Sequence, residues 1–137
     1  MNDAFVTHPS NTAELMNNTV VLTCTTDSKS SDPVLISWSY IPTGSSSLKP
    51  IAAVCKVNNE SRSVYHIARA AAGVCNLMVN STQLMNAGTY LCQDVTTAKY
   101  STAQLVVLGN YHYDYVWFNY LQHASTFNGK LMCVYHN

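Results

Sequence analysis

Short runs of alternating apolar and polar residues, separated by turn-forming residues, repeat along most of the chain. In the run from Thr19 to Thr25, the side chains of Val20, Leu22 and Cys24 fall on one face of an extended strand, and the intervening residues take the other. No helical apolar repeat of useful length is present. The pattern therefore predicts an all-β protein with half-buried strands.

The run from Leu35 to Ile41 shows the same alternation, with Ile36, Trp38 and Tyr40 on one face. Further runs bring the total to roughly nine strands, as expected of a two-sheet sandwich. These runs are an early pair between Ala4 and Met16, then Ile51 to Val57, Val64 to Ile67, Val74 to Val79, Gly88 to Gln93 and Tyr100 to Leu108.

Composition narrows the functional classes. Seven Lys and Arg residues balance seven Asp and Glu residues in 137 positions, so no broad attraction to nucleic acid is expected. The longest aliphatic run, Leu105 to Leu108, is too short to span a bilayer, so no membrane insertion is expected. Asn2-Asp3-Ala4 shows neither a basic start nor an apolar stretch, which favours a mature extracellular segment.

A family resemblance rests on Cys24, Trp38 and the segment Asn86-Ala87-Gly88-Thr89-Tyr90-Leu91-Cys92. Together these residues resemble the immunoglobulin V-set pattern over about residues 4–109. The resemblance implies a Greek-key sandwich in which a Cys24–Cys92 disulfide joins the two sheets. It also implies that the Trp38 indole packs on that bridge and that Tyr90 forms the tyrosine corner.

Five cysteines leave three after the core bridge. In the V-type fold Cys55 and Cys75 are expected near one end of the molecule, so we predict a second bridge between them. The alternatives are two buried free thiols, or a bond between Cys55 and Cys133. Cys133 is otherwise the odd cysteine, either free or available for a covalent dimer.

Two departures from the family pattern affect what the resemblance implies. Asn86 stands where the family usually has an Asp that forms an ion pair with an Arg. Arg62 and Arg69 are therefore predicted to lack this ion pair. Strand G, from Tyr100 to Leu108, lacks the Phe-Gly-x-Gly bulge of rearranging antigen receptors. A non-rearranging V-type receptor therefore fits better.

Residues 110–137 differ from an ordinary V domain and are predicted to be an aromatic extension of a domain spanning residues 1–109. Asn128-Gly129 is a strong turn signal, so a hairpin is predicted within it. Ordered aromatic side chains must cover something, either this domain or a second copy. Self-association is the favoured interpretation for a cluster that includes Tyr113, Tyr115, Trp117 and Phe118.

Three N-glycosylation sequons begin at Asn17, Asn59 and Asn80, and they are typical either of an extracellular glycoprotein or simply of polar loops. The five histidines show no metal-ligand spacing, and no nucleophile elbow or phosphate-binding loop is present. We therefore expect no enzymatic activity, no metal and no cofactor.

The predicted function is extracellular recognition of a protein partner, or of a second copy, by an immune-type or adhesion receptor. The expected contact surface is the face of strands G, F, C and C′. By parity this face displays Ser37, Ser39, Ala53, Leu91, Gln93 and Tyr100. The alternative is a secreted module that recognises carbohydrate or a microbial surface through its loops, Asp27 to Pro33, Asn58 to Ser63 and Asp94 to Lys99.

Overall fold

The computed structural model describes residues 5–27 and 35–109 in full, and residues 124–127 and 130–133 as backbone. The described part is an all-β sandwich, with two short 3₁₀ turns at Asn59–Ser61 and Leu84–Asn86. Its strands are β1 (Phe5–Thr7), β2 (Thr12–Leu15), β3 (Val20–Leu22), β4 (Thr25–Thr26), β5 (Ile36–Pro42), β6 (Lys49–Ala53), β7 (Lys56–Val57), β8 (Tyr65–Ala71), β9 (Val74–Val79), β10 (Gly88–Asp94), β11 (Tyr100–Leu108), β12 (Ala124–Phe127) and β13 (Lys130–Cys133).

Two sheets form the sandwich. The first has the order β1-β4-β9-β3 with β8 paired to β9, and the second has the order β2-β11-β10-β5-β6-β7. In V-set lettering, β3 and β4 form strand B, β5 and β6 are C and C′, and β10 and β11 are F and G. In the second sheet, β2 and β11 pair in parallel, and the other neighbouring strands pair antiparallel.

The inward positions of both sheets form one core, as the alternation predicts. Val20, Leu22 and Cys24 are 4%, 1% and 0% exposed, and the residues between them are not buried. The two sheets therefore press their apolar faces together in the aligned sandwich arrangement. The largest fully buried side chains are those of Trp38 and Tyr90.

The run from Ile51 to Val57 does not form one strand, contrary to the sequence prediction. It breaks at a two-residue turn, Val54–Cys55, whose φ angles of 51° and 55° are both positive, and β7 then turns back on β6. Positive φ at both central positions matches the twist of the flanking strands. Cys55 is consequently placed in a turn and not on a strand.

Gly88 begins β10 at a point where two backbones approach closely. Its φ is 157°, and it pairs with Pro42 of β5. A Cβ atom at this position would overlap the carbonyl oxygen of Ile41. Only glycine fits here without a shift of one strand.

The predicted C-terminal hairpin is present. β12 pairs antiparallel with β13, from Ala124 opposite Cys133 to Phe127 opposite Lys130, and the two form a separate sheet. The hairpin therefore uses the polar stretch before Asn128-Gly129. The aromatic run from Tyr111 to Leu121 lies outside the described residues.

Candidate functional site

The predicted core bridge and its tryptophan lie at the centre of the sandwich. Cys24 and Cys92 form a disulfide with a Cα–Cα distance of 6.5 Å, and both are fully buried. Trp38 lies directly opposite Cys92 in the β5–β10 ladder. Its indole N–H donates a hydrogen bond to the Cys75 carbonyl oxygen at 3.0 Å, so the only polar atom of the buried ring has a partner.

The second predicted bridge, Cys55–Cys75, is also present, with a Cα–Cα distance of 5.8 Å. It links the β6–β7 turn of one sheet to β9 of the other. The Cys55 amide donates to the Ile36 carbonyl at 2.7 Å, and the Cys75 amide donates to the Cys24 carbonyl at 3.0 Å. Both bridges therefore connect the sheets, and the second lies at the end of the sandwich where β5 begins.

Tyr90 forms the predicted tyrosine corner. Its hydroxyl donates to the Asn86 carbonyl oxygen at 2.7 Å. The Tyr65 hydroxyl oxygen lies 2.9 Å from the Tyr90 hydroxyl oxygen. Because Tyr90 already donates its hydrogen to Asn86, Tyr65 must be the donor in this second hydrogen bond. Tyr65 was not identified from the sequence, although the alternation in β8 would have placed it inward.

Burial changes the acidity of both phenols. Desolvation raises the pKa of Tyr65 to about 12, with the Tyr90 hydroxyl partly offsetting the effect. Burial raises the pKa of Tyr90 further, and the charge of a Tyr65 phenolate would add to that increase. The folded protein therefore keeps both hydroxyls protonated at pH values where an exposed tyrosine ionises.

Stability should fall steeply in alkaline solution because of these two groups. The unfolded chain releases its tyrosine protons near pH 10, whereas folded Tyr65 holds its proton to about pH 12. The stabilising contribution is thus complete below about pH 10 and is lost as the pH rises towards the folded pKa. We expect Tyr65→Phe to lose less stability than the unmodified chain between about pH 9 and pH 11 in urea unfolding.

Tyr100→Phe is the matched control, because Tyr100 is 64% exposed. Its free energy of unfolding should depend on pH as that of the unmodified protein does. This account would be contradicted if the free energy of unfolding fell equally steeply with pH in all three proteins. It would also be contradicted by tyrosinate absorbance from every tyrosine near pH 10 while the fold persists.

Five of the six residues predicted to contact a partner lie together on the outward side of β5, β10 and β11, here called the three-strand face, and the sixth, Ala53, is exposed on the neighbouring strand β6. The ladders align Ser37 with Gln93 and Tyr100 in one row. The next row aligns Ser39 with Leu91, which in turn faces Thr102 of β11. Residues directly opposite in a ladder point to the same side of the sheet.

This face carries no charged side chain on its three central strands. Its outward positions are Ser37, Ser39, Ile41, Thr89, Leu91, Gln93, Tyr100, Thr102, Gln104 and Val106. Leu91 is half-buried and Tyr100 is 64% exposed. A flat, weakly polar surface with an exposed tyrosine has the composition typical of protein interfaces.

Two of the three loops that the sequence grouped together lie apart. Asn58–Ser63 leads into Tyr65, which pairs with Val79 at the far end of β9 from Cys75. The loop from Asp94 to Lys99 lies beside the start of β5, because the Val95 amide donates to the Leu35 carbonyl. Most of the segment from Asp27 to Pro33 lies outside the described residues.

The Asp94–Lys99 loop is short and holds its own shape. Asp94 is 4% exposed, and one of its carboxylate oxygens accepts hydrogen bonds from the Thr96 amide at 3.0 Å and from the Thr96 hydroxyl at 2.6 Å. The Asp94 amide donates to the Lys99 carbonyl at 2.9 Å. The sequence did not single out Asp94, and its carboxylate is engaged in loop structure.

All three sequon asparagines are exposed, and none lies on the three-strand face. Asn17 and Asn80 lie at the same end of the sandwich, since the Asn17 amide donates to the Thr82 carbonyl at 2.8 Å. Asn59 begins the 3₁₀ turn between β7 and β8. The three positions are therefore sterically open to glycan attachment.

Asn86 takes part in a local cap in place of an ion pair. Its side-chain oxygen accepts a hydrogen bond from the Gln83 amide at 2.7 Å, and the residue is 4% exposed. A neutral amide cannot balance a guanidinium. Both Arg62 and Arg69 are exposed.

The arrangement is suited to recognition of another molecule. Within the described residues, no group of three His, Cys, Asp or Glu side chains is positioned to hold a metal ion. Over the same residues, no helix has the length and hydropathy needed to cross a membrane. Tyr113, Tyr115, Trp117, Phe118 and the Cys133 side chain lie outside the part of the chain that is described.

Comparisons with known proteins agree with this geometry. The chain is similar to a chain in the crystal structure of the Titin M10–Obscurin-like 1 Ig complex, with a TM-score of 0.58 and 18% identity. That match covers 79% of this chain and 95% of the other, and at this identity it shows the fold alone. No curated protein matches the chain. The family model of the immunoglobulin V-set domain matches residues 7–108, and the chain therefore belongs to the immunoglobulin V-set family.

Proposed function

We propose that this V-set domain is the extracellular recognition domain of a non-rearranging immune-type or adhesion receptor, and that it binds a protein partner through the three-strand face. The observation that carries the proposal is the uncharged composition of that face. Ser37, Ser39, Leu91, Gln93 and Tyr100 form adjacent rows. Depletion of charge and the presence of aromatic residues characterise the centre of protein interfaces.

Glycan placement supports the same surface. The sequon residues Asn17 and Asn80 lie at one end of the sandwich, and Asn59 lies in the β7–β8 connection. Glycans at these sites would leave β5, β10 and β11 uncovered. Occupancy of all three sequons is part of the proposal.

An extracellular location is proposed together with this function. Two disulfides connect the sheets, and such bonds persist in oxidising compartments. The cysteines of both bridges are buried, as befits structural bonds.

A second copy of the chain is one form of the proposed partner. The three-strand face can meet the same face of another protomer about a two-fold axis, because a two-fold interface is self-complementary. The tail residues Tyr113, Tyr115, Trp117 and Phe118 are a second predicted route to self-association. Light scattering of the full chain, with and without reductant, distinguishes a 15.1 kDa monomer from a dimer.

The experiment that tests the proposal uses tetramers of the full chain to stain cells of the source organism. We expect staining that is removed by protease treatment of the cells. Tyr100→Ala and Gln93→Glu should each weaken it by about tenfold or more, as central interface residues do. Val21→Ala is the matched control, because Val21 is 49% exposed on the opposite sheet.

Each outcome has a distinct meaning. Staining that survives protease but is lost after glycosidase treatment would favour carbohydrate recognition instead. Staining that Val21→Ala reduces as much as Tyr100→Ala would place the contact elsewhere. A chain that is monomeric and stains no protease-sensitive component would contradict the proposal.

A further inference from the structure

An open groove lies where the edges of the two sheets meet. It has a volume of about 410 Å³ and is lined by Lys56, Val57, Arg62, Tyr65, His66 and Ile67. β7 is the last strand of one sheet and β8 is an edge strand of the other, and the Asn59–Ser61 turn connects them. Pockets that hold small ligands have volumes of this order.

The floor of the groove is apolar and held in place. Tyr65 is 4% exposed, and its hydroxyl is fixed by the hydrogen bond to Tyr90. Val57 and Ile67 are half-buried beside it. A floor that is anchored to the core forms before any ligand arrives, which lowers the entropic cost of binding.

The rim of the groove is basic. Lys56, Arg62 and His66 are all exposed, and no acidic side chain is among the lining residues. Glu60, the acid closest in sequence, is exposed and is not part of the lining. A concave surface that carries one sign of charge over a low-dielectric floor concentrates ligands of the opposite sign.

The charge of Arg62 is available to a ligand. Its side chain is exposed, and among the described residues it has no carboxylate partner. Its planar guanidinium can therefore offer two parallel N–H donors to an anion in the groove.

We propose that this groove binds a saccharide bearing sulfate or carboxylate groups. Arg62 and Lys56 would hold the anionic substituents, and a sugar ring would lie over the partly exposed side chains of Val57 and Ile67. A peptide would have to add to the seven-residue edge of β8, because β7 has only two residues, and the polyglutamate probe below tests that alternative. The open groove has room for one or two sugar rings.

The groove is separate from the three-strand face, and its occupancy does not depend on the proposed protein partner. β6 lies between β7 and β5 in the sheet order. Loss of groove binding would therefore leave tetramer staining through Tyr100 unchanged. The two proposals fail independently.

Calorimetry with the full glycosylated chain tests the groove, and an Asn59→Gln variant shows whether a glycan at the β7–β8 connection limits access to it. The probes are a heparin tetrasaccharide and a hyaluronan tetrasaccharide, which separate sulfate from carboxylate recognition, and a polyglutamate peptide. We expect at least one saccharide to bind. The double variant Lys56→Gln/Arg62→Gln should weaken that binding by about tenfold or more.

The matched control is Lys49→Gln/Arg69→Gln, which removes the same charge from two exposed cations outside the groove. It should retain the affinity of the unmodified chain, and amide shifts on saccharide binding should centre on Tyr65, His66 and Ile67. Those shifts test the site even if a variant proves unstable. Equal weakening by both double variants, binding of neither saccharide, or tighter binding of polyglutamate at the groove would overturn the proposal.

Discussion

Replacing Cys24 and Cys92 together by alanine is expected to lower the free energy of unfolding by about 4 kcal/mol. The bridge joins residues separated by 68 positions, so its loss frees a long loop in the unfolded chain. Both cysteines are fully buried, and two alanines would also leave a small cavity. Urea unfolding of the full chain measures the change.

The Cys55→Ala/Cys75→Ala variant provides the comparison. Its bridge spans 20 positions, so the loop-entropy model gives a smaller loss of about 3 kcal/mol. The order of the two losses is the test. A greater loss from the shorter loop would show that the turn at Val54 and Cys55 depends on its bridge far more than chain entropy implies.

Trp38→Ala is expected to destabilise the domain by about 3–5 kcal/mol, the range found for large aromatic residues removed from a core. The indole is fully buried, Trp38 is the ladder partner of Cys92, and the substitution also leaves the Cys75 carbonyl oxygen without its donor. Trp38→Phe should lose less, because most of the volume remains. Chemical unfolding of the three proteins gives the values.

Tyr100→Ala is the matched aromatic control for that series. Tyr100 is 64% exposed, so its removal should change the free energy of unfolding by no more than about 0.5 kcal/mol. A Trp38→Ala variant as stable as Tyr100→Ala would show that the indole is not at the centre of the fold. The same Tyr100→Ala protein then serves in the binding experiment, where its loss of function cannot be attributed to unfolding.

The sandwich could be predicted from the sequence because its strands are half-buried and antiparallel. Their side chains alternate with a period of two, so the sequence alone predicts that Val20, Leu22 and Cys24 face inward, and all three are buried. β11 was predicted with its observed bounds, Tyr100–Leu108. Both disulfides followed once the V-set pattern supplied the strand positions.

The turn at Val54–Cys55 could not be predicted in the same way. Residues with positive φ at both turn positions are usually Asn or Gly, and a β-branched valine gives no such signal. The alternation therefore continued through it to Val57 as a single strand. Long-range contacts, here the bridge to Cys75, determine a conformation that local preference does not favour.

The groove also lay beyond sequence reasoning, although several of its residues were noted. Lys56 and His66 belong to different sheets, and only the packing of β7 beside β8 brings them to one concavity. Periodicity assigns faces within a strand, but it does not show which edges meet.

The V-set scaffold thus presents two surfaces of different chemistry. The three-strand face is uncharged and suited to a protein, whereas the groove is rimmed by Lys56, Arg62 and His66 and suited to an anionic sugar. Both depend on the buried tyrosines, since Tyr90 lies in β10 beneath the face and also anchors Tyr65 in the groove.

Site-specific photocrosslinking tests the central claim most directly. A photoreactive amino acid placed at Tyr100 of the full chain should form a covalent adduct with a protein on the stained cells, or with a second copy of the chain in solution. The same group at Val21, on the opposite sheet, should form none. Adducts from Val21 in place of Tyr100, or no protein adduct from Tyr100, would contradict recognition through the three-strand face.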